Sequence, residues 1–425
     1  MTILLLGAFT AFFLLGWPVV FAVMIPAVLY LLWNGFPLEF IGQRMAYALD
    51  SFPLVAVPIF IFVGNLMNQS GITEVIYRFA TTLVARVHGG LAQVNIVGSL
   101  IFSGMSGAAL ADIGGLGRIE VKAMTSHGFK PEFAGALTCA SAIVGPIFPP
   151  SIPLIIYGSV TNVSIIQLLL AGIVPALICV ALLMVTVAFL AWKRRFPRAP
   201  RWPRPSELWA DFLPAAPALM TPVLLVSGML LGLFTPTEAA SVTVAYVIFI
   251  SAAIYRTLTW GHLLTSAYET LKSTSAILII VAAAALFGWI MAIEQVPQTL
   301  SRSLLSLSTD PLVLLLIVNA LLLVAGMFLD STTATLLIIP IIAAPLHLAG
   351  VDPVHLGIVA IFNLMLGLLT PPMGLALFLV SDIAQVSMRA VLRELVPFYV
   401  PLFATLAIIT LFPEVSLWIP KMIRQ

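Results

Sequence analysis

The stretch GPIFPPSIP, residues 145–153, sits inside a run (131–160) that otherwise reads as buried helix. Proline within a helix removes a backbone donor and clashes with the carbonyl one turn back, at a cost of ~3 kcal/mol or more. A chain that breaks a helix twice at Pro149-Pro150 must satisfy the freed backbone by some means other than the helix. The composition shows how little water is at hand. Of 425 residues, 61% are hydrophobic and 8% charged, and the mean hydropathy is +1.14. A soluble domain carries about 25% charged residues. The chain therefore reads as an all-α integral membrane protein, because only helices and closed barrels satisfy every backbone group in lipid. Its net charge of +2 offers nothing to a nucleic acid. Cys139 and Cys179 lie in apolar runs and read as core thiols. The five histidines show no metal-ligand spacing. The start, MTILLLGAF, lacks a basic n-region and a small-residue cleavage site, so no cleavable leader is expected.

A membrane helix needs ~20 apolar residues. Candidate spans are 3–16 and 18–33 (split at Gly16-Trp17-Pro18), 51–69, 165–192, 212–233, 236–255, 273–293 and 395–415. Segments 91–126 and 312–349 exceed one span and are interrupted at SGMSGAALADIGG and GMFLDSTTAT, so they read as re-entrant hairpins. Segments 131–160 and 354–382 are broken at Pro-Pro. Three short amphipathic stretches, 37–49, 72–88 and 297–307, read as surface-lying helices. In the second, Ile72, Val75, Ile76, Phe79, Leu83 and Val87 are expected to share the apolar face.

The same unit occurs twice. Displaced by 222 residues, GPIFPPS (145–151) falls on GLLTPPM (367–373), and 128–175 aligns with 350–397 without a gap. The identical positions are Gly128, Pro131, Gly135, Gly145, Pro149, Pro150, Ser159, Leu170, Val174 and Pro175, mostly glycine and proline, where chance matching of an apolar chain would favour Leu, Ala, Val and Ile. The expected domains are a first repeat (1–191, with an arm helix, hairpin 91–126 and broken helix 131–160), a basic linker (192–211) and a second repeat (212–425, with hairpin 312–349 and broken helix 354–382). Each repeat has five full crossings, an odd number, so the copies should be inverted. The positive-inside rule agrees. With the linker WKRRFPRAPRWPRPSE (192–207) in the cytoplasm, the inside holds 15 basic residues, Arg198 and Arg201 among them, and the outside holds Arg44, Arg302, Lys421 and Arg424. Both termini are then expected outside, in a multi-pass protein of a bacterial inner membrane.

The double prolines now acquire a purpose. Pro149 cannot donate to the carbonyl of Gly145, nor Pro371 to that of Gly367. Free carbonyls in a dry interior are expensive unless something occupies them. A small hard cation such as Na⁺ needs several oxygens, and broken helices of inverted-repeat transporters supply them near the midplane. Hydroxyls of Ser103, Ser106 and Thr370 could complete the shells. The alternative is a kink re-satisfied by neighbouring helices. Two buried acids lie at or near the hairpin breaks, Asp112 and Asp330, and intramembrane carboxylates are functional candidates. Asp330-Ser331-Thr332-Thr333 also reads as the capped start of a half-helix, while its hydroxyls would suit a substrate carboxylate. Glu238, in FTPTEAA, belongs to a first helical turn. Arg118 reads as an interfacial anchor or an anion ligand.

FPLVAVPIFIFVGNLM (52–67), FSGMSGAALADIGGLG (102–117), GPIFPPSIPLIIYG (145–158), GLFTPTEAA (232–240), GMFLDSTTA (326–334) and LLTPPMG (368–374) resemble the signature stretches of the large membrane subunit of TRAP transporters, the DctM-like family. The resemblance runs nearly the whole chain. It implies Na⁺-driven import of a small organic anion, such as a C4-dicarboxylate, sialic acid or similar carboxylate, by an elevator mechanism in which hairpins and broken helices move against a scaffold. It also implies two partners, a small four-helix membrane subunit and an extracytoplasmic substrate-binding protein. The family's first sodium site carries over onto Ser103, Ser106, Gly145, Phe148 and Pro150, and the second onto Gly326, Gly367, Thr370 and Met373. A stand-alone Na⁺/dicarboxylate symporter of the same broad fold is the alternative. An enzyme is not expected, since no catalytic constellation lies in the spans, and no organic cofactor or transition metal is expected. A Walker sequence is also missing.

Overall fold

The computed structural model describes residues 2–84, 86–196 and 202–423. Arg198, Arg201 and Arg424, and with them the middle of the expected linker, lie outside the described residues. Among those described, every regular element is a helix. The first half runs α1 (Thr2–Leu14), α2 (Val19–Trp33), α3 (Leu38–Leu49), a 3₁₀ turn (Phe52–Val55) leading into α4 (Ala56–Gln69), α5 (Ile72–Val84), α6 (Leu91–Ser106), α7 (Ala109–Gly114), α8 (Leu116–Ser126), α9 (Pro131–Ala142), α10 (Ile152–Thr161), α11 (Ile165–Ala171) and α12 (Ile173–Arg194). The second half runs α13 (Pro205–Leu230), α14 (Pro236–Phe249), a π turn (Ile250–Ile254), α15 (Trp260–Ile293), α16 (Val296–Leu307), α17 (Pro311–Phe328), α18 (Ser331–Leu348), α19 (Pro353–Leu368), α20 (Leu375–Ala384), α21 (Met388–Leu411) and α22 (Glu414–Ile423).

Eight of these segments are long and apolar enough to cross a membrane: 52–69, 165–194, 205–230, 236–254, 260–293, 311–328, 331–348 and 388–411. The outward faces suit lipid. Trp33, Trp192, Trp209 and Trp260 stand exposed at helix ends, where their amphipathic rings match the membrane–water boundary. Element bounds recur at one displacement. Helix α6 ends at Ser106 and α17 at Phe328, α8 ends at Ser126 and α18 at Leu348, and α9 starts at Pro131 and α19 at Pro353, each pair 222 residues apart.

The contacts explain the ordering. Each hairpin packs on the first part of its own broken helix, α6 and α8 on α9, α17 and α18 on α19. The second part of each broken helix crosses over: α10 packs on α18, and α20 on α7, α8 and α9. A single apolar core spans both halves, and a smaller one joins α4, α5 and α6 to Ala218 of α13 and Val247 of α14.

Several expected boundaries shift. Helix α15 has 34 residues, about 51 Å at 1.5 Å per residue, where the hydropathy at 273–293 suggests one span. Its first turns carry His262, Glu269 and Lys272, too polar to register as membrane, and helical all the same. The linker is shorter than 192–211. Helix α12 reaches Arg194, and α13 starts at Pro205 behind a capping interaction in which the Arg204 N–H donates to Glu207 at 2.9 Å. Each arm of hairpin 312–349 is 18 residues long, so by length alone either could cross. The buried face of α5 is Ile72, Thr73, Ile76, Tyr77, Ala80 and Val84, and Leu83 is 43% exposed. The helix packs along both α6 and α13, and that pair of neighbours, rather than the apolar stripe alone, sets its rotation. The terminal helix α22 was not expected.

Candidate functional site

The first break lies where three helices meet. At the tip of hairpin 91–126, Gly107 adopts the left-handed conformation (φ +64°), which ends α6. Its carbonyl accepts the N–H of Ile152 at 3.2 Å, tying the tip to the start of α10 just after Pro150. A Cβ on Gly107 would lie 3.1 Å from the Pro150 carbonyl carbon, so glycine there is a requirement of close approach. Beyond the tip, α7 carries Asp112, buried at 2% exposure. The Ser106 hydroxyl donates to one of its carboxylate oxygens. The Ser103 hydroxyl lies 3.2 Å from the other and 2.5 Å from the Ser99 carbonyl, and its single proton serves one acceptor at a time. Gly145 completes the enclosure. A Cβ there would stand 2.6 Å from Asp112 Oδ2.

The backbone at this break behaves as the prolines require. The Phe148 N–H reaches back to the Val144 carbonyl at 2.9 Å, and Pro149 has none to give. Among the described residues no group donates to the Gly145 carbonyl. Pro146 is different, because the Ser151 hydroxyl bonds its carbonyl. Phe148 is half-buried and Pro150 buried, with a Phe148 ring carbon 3.5 Å from where a Gly104 Cβ would lie. Ser103, Ser106, Gly145, Phe148 and Pro150 thus gather around one tip. The sequence reading named Asp112 as a buried acid but did not place it among the ligands. A clue was present, since Ser103 and Ser106 occupy one helix face and the acid follows six residues after the second.

The second break is built differently. Gly326 and Gly367 meet backbone to backbone, with the Gly367 Cα 3.1 Å from where a Gly326 Cβ would lie. The Gly367 carbonyl is not free, which corrects the expectation drawn from Pro371. The Thr370 N–H folds back onto it at 2.8 Å, a 3₁₀ turn that answers the missing donor locally. The Thr370 hydroxyl bonds the Leu366 carbonyl at 2.8 Å, and the Tyr399 hydroxyl the Leu369 carbonyl at 2.5 Å. Met373 is 45% exposed.

The remaining candidates divide. Asp330 caps α18, accepting the Thr333 N–H at 3.1 Å and the Thr333 hydroxyl, so Thr333 is engaged and fully buried. Ser331 is buried and Thr332 half-buried beside it. Arg118 lies on the exposed face of α8, with no partner among the described residues. Glu238 forms a capping box with Thr235, accepting its N–H at 2.8 Å. Both cysteines are buried and free. Two cavities sit away from both breaks. One of about 620 Å³ is bordered by Pro58, Phe62, Val244, Thr270 and Leu278, and one of about 280 Å³ by Ser51, Ser159, Gly288, Leu336 and Pro340.

Comparison with known proteins agrees with this architecture. Among solved structures, a YdaH transporter from Alcanivorax borkumensis, described as having an unusual topology, superposes with a TM-score of 0.62 at 16% identity, covering 90% of this chain and 89% of that one. At that identity the likeness concerns the fold. The sialic acid TRAP transporter large permease SiaM of Vibrio cholerae is 44% identical over 96% of this chain and 95% of its own length. The C4-dicarboxylate TRAP transporter large permease DctM of the same organism is 31% identical over 96% and 95%. These relatives are transport permeases and not enzymes, in keeping with the sequence reading. The profile of the tripartite ATP-independent periplasmic transporter DctM component matches residues 6–415, and the chain belongs to that family of TRAP large permeases.

Proposed function

We propose that the chain is the membrane carrier of a binding-protein-dependent secondary transporter that brings a small carboxylate into a bacterium together with Na⁺. The observation that carries this reading is the enclosure at the first break. Asp112 orients the Ser106 hydroxyl through its proton, and the Ser99 carbonyl orients that of Ser103, leaving oxygen lone pairs for a cation beside the unclaimed Gly145 carbonyl. An unpaired carboxylate is costly at such depth, and a monovalent cation with several oxygen ligands balances it. The second site, around Gly326, Gly367, Thr370 and Met373, is the weaker one, since no buried acid stands beside it among the described residues and Met373 is exposed.

The two halves are read as inverted copies of five crossings and one re-entrant hairpin each, with the 195–204 linker in the cytoplasm and both termini in the periplasm. The matching element bounds and the reciprocal packing of α10 on α18 and α20 on α7 and α8 support this. The hairpins and broken helices form the moving body of an elevator, and the amphipathic helices α5 and α16 join it to the rest. The partners are a small four-helix membrane subunit and an extracytoplasmic binding protein. A sialic acid is the first substrate to try, given the 44% identity to a sialic acid permease, with C4-dicarboxylates next. Ser331 and Thr332, at the start of α18, are the hydroxyls best placed to meet the substrate carboxylate.

Uptake by proteoliposomes containing the chain and its small subunit tests the proposal. Accumulation should require both the binding protein and an inward Na⁺ gradient. Transport without the binding protein would favour a stand-alone symporter, and transport indifferent to sodium would overturn the ion sites.

A further inference from the structure

Asp112 is not the only acid buried in the first hairpin. Glu120, on the return arm α8, is 1% exposed. It closes a polar seam that begins at the first break. On α6, Asn95, Ser99, Ser103 and Ser106 recur at helical spacing and form one stripe, and on α9 Thr138 and Ser141 do the same, with Gly145 in the turn that follows the helix. The stripes are hydrogen-bonded to one another. The Ser103 hydroxyl donates to the Ser99 carbonyl at 2.5 Å, the Ser99 hydroxyl to Ser141 Oγ at 3.0 Å, and the Ser141 hydroxyl to Asn95 Oδ1 at 2.7 Å. The Asn95 amide donates to Glu120 Oε2 at 2.8 Å and to Thr138 Oγ1 at 2.7 Å. The seam therefore runs from the tip of hairpin 91–126 back toward its base.

Two atoms at its far end have no partner among the described residues, Glu120 Oε1 and the hydroxyl of Tyr77 on α5, although Tyr77 is only 9% exposed. The Glu120 carboxylate and the edge of the Tyr77 ring both border Gly98. A Cβ there would lie 3.2 Å from Glu120 Oε1 and 4.0 Å from Tyr77 Cδ2. Asn95, Thr138, Ser103 and Ser106, the partners that hold the two acids, are all neutral. A buried carboxylate with one orphaned oxygen and no cationic neighbour is strongly unfavourable. Protonation of Glu120 is one way to remove that charge. A small hard cation is the other, since it takes several oxygens at once, and Glu120 Oε1, Thr138 Oγ1 and the Tyr77 hydroxyl have lone pairs to give.

We propose that Glu120, with Thr138 and Tyr77 and oriented by Asn95, forms a further sodium station inside hairpin 91–126, linked to the Ser103–Asp112 enclosure by the hydroxyl seam. The inference rests on the sodium-coupled reading above and deepens it by one ion.

Equilibrium binding of ²²Na⁺ to the purified chain, alone and with its small membrane subunit, tests it. Wild type should bind one ion more than Glu120→Gln, and Asp112→Asn should lose a separate ion, so that the double variant loses two. Glu120→Asp should keep the count with several-fold weaker affinity, and Thr138→Val should weaken the same ion several-fold. These two variants preserve the test if Glu120→Gln does not fold. An unchanged ion count in folded Glu120→Gln, or unchanged affinity in Thr138→Val, would overturn the station. So would an unchanged sodium count accompanied by loss of a proton-uptake step between pH 6 and 8, which would make Glu120 a proton carrier. If wild type itself binds no sodium, the proposed coupling fails first, and that result is distinguishable from failure of this station alone.

Discussion

The break at Gly145–Pro150 is enclosed by protein, whereas the break at Gly367–Met373 opens at the surface. Both have the same Pro-Pro at the same displacement, and in both a hairpin packs against the preceding half-helix. The difference lies in what surrounds the freed backbone. Around the first break, an acid, two hydroxyls and an unclaimed carbonyl are sealed from solvent. Around the second, Thr370 closes a tight turn on the Gly367 carbonyl, no acid takes part, and Met373 is exposed. The residue displaced by 222 from Asp112 is Ala334, and the one displaced from Glu120 is Ile342. The two halves share the punctuation of the chain and not its charges, so on the sodium-coupled reading they are expected to divide ion binding unequally.

That contrast is open to attack, most strongly at Asp112. Replacing it with Asn should raise the sodium concentration for half-maximal uptake at least about tenfold, equivalent to ~1.4 kcal/mol, in the proteoliposome assay. An effect no larger than that of Thr370→Ala would erase the distinction between the breaks. Next come the glycines, which separate binding from folding. Gly326→Ala places a methyl 2.8 Å from the Leu364 carbonyl oxygen and 3.1 Å from the Gly367 Cα, both rigid backbone. It should lower thermal stability by about 1–3 kcal/mol, read as loss of monodisperse protein on heating. Gly145→Ala meets the Asp112 carboxylate instead, so it should fold and bind sodium poorly. Ser106→Ala removes a hydroxyl from the enclosed site, and a several-fold rise in the sodium requirement is expected. Thr370→Ala should change it by less than about twofold, because no buried acid stands beside that hydroxyl and the break around it is open at Met373. At the small end, Asp330→Ala should cost about 1 kcal/mol of stability as a lost helix cap, and Asp330→Asn much less, measured by thermal unfolding. Strong loss of uptake with unchanged stability in Asp330→Asn would instead give that carboxylate a part in transport.

The division between what the chain announces and what folding adds follows from the range of the forces involved. Hydropathy, glycine and proline act over a turn or two. For that reason the hairpin interruptions within 103–115 and 326–335, the cap at Asp330, the first-turn place of Glu238 and the 222-residue repeat could be read along the sequence. Long helices with polar ends escaped that reading, as α15 shows, because packing and capping carry a helix past the point where hydropathy fades. The rotation of α5 escaped it too, being set by two neighbours at once. The convergence of Asp112 on Ser103, Ser106 and Gly145, the joining of Glu120 to Asn95 and Thr138, and the closing of the Gly367 carbonyl by its own turn depend on how three helices approach one another. No local period encodes that approach, and only the tertiary structure decided it.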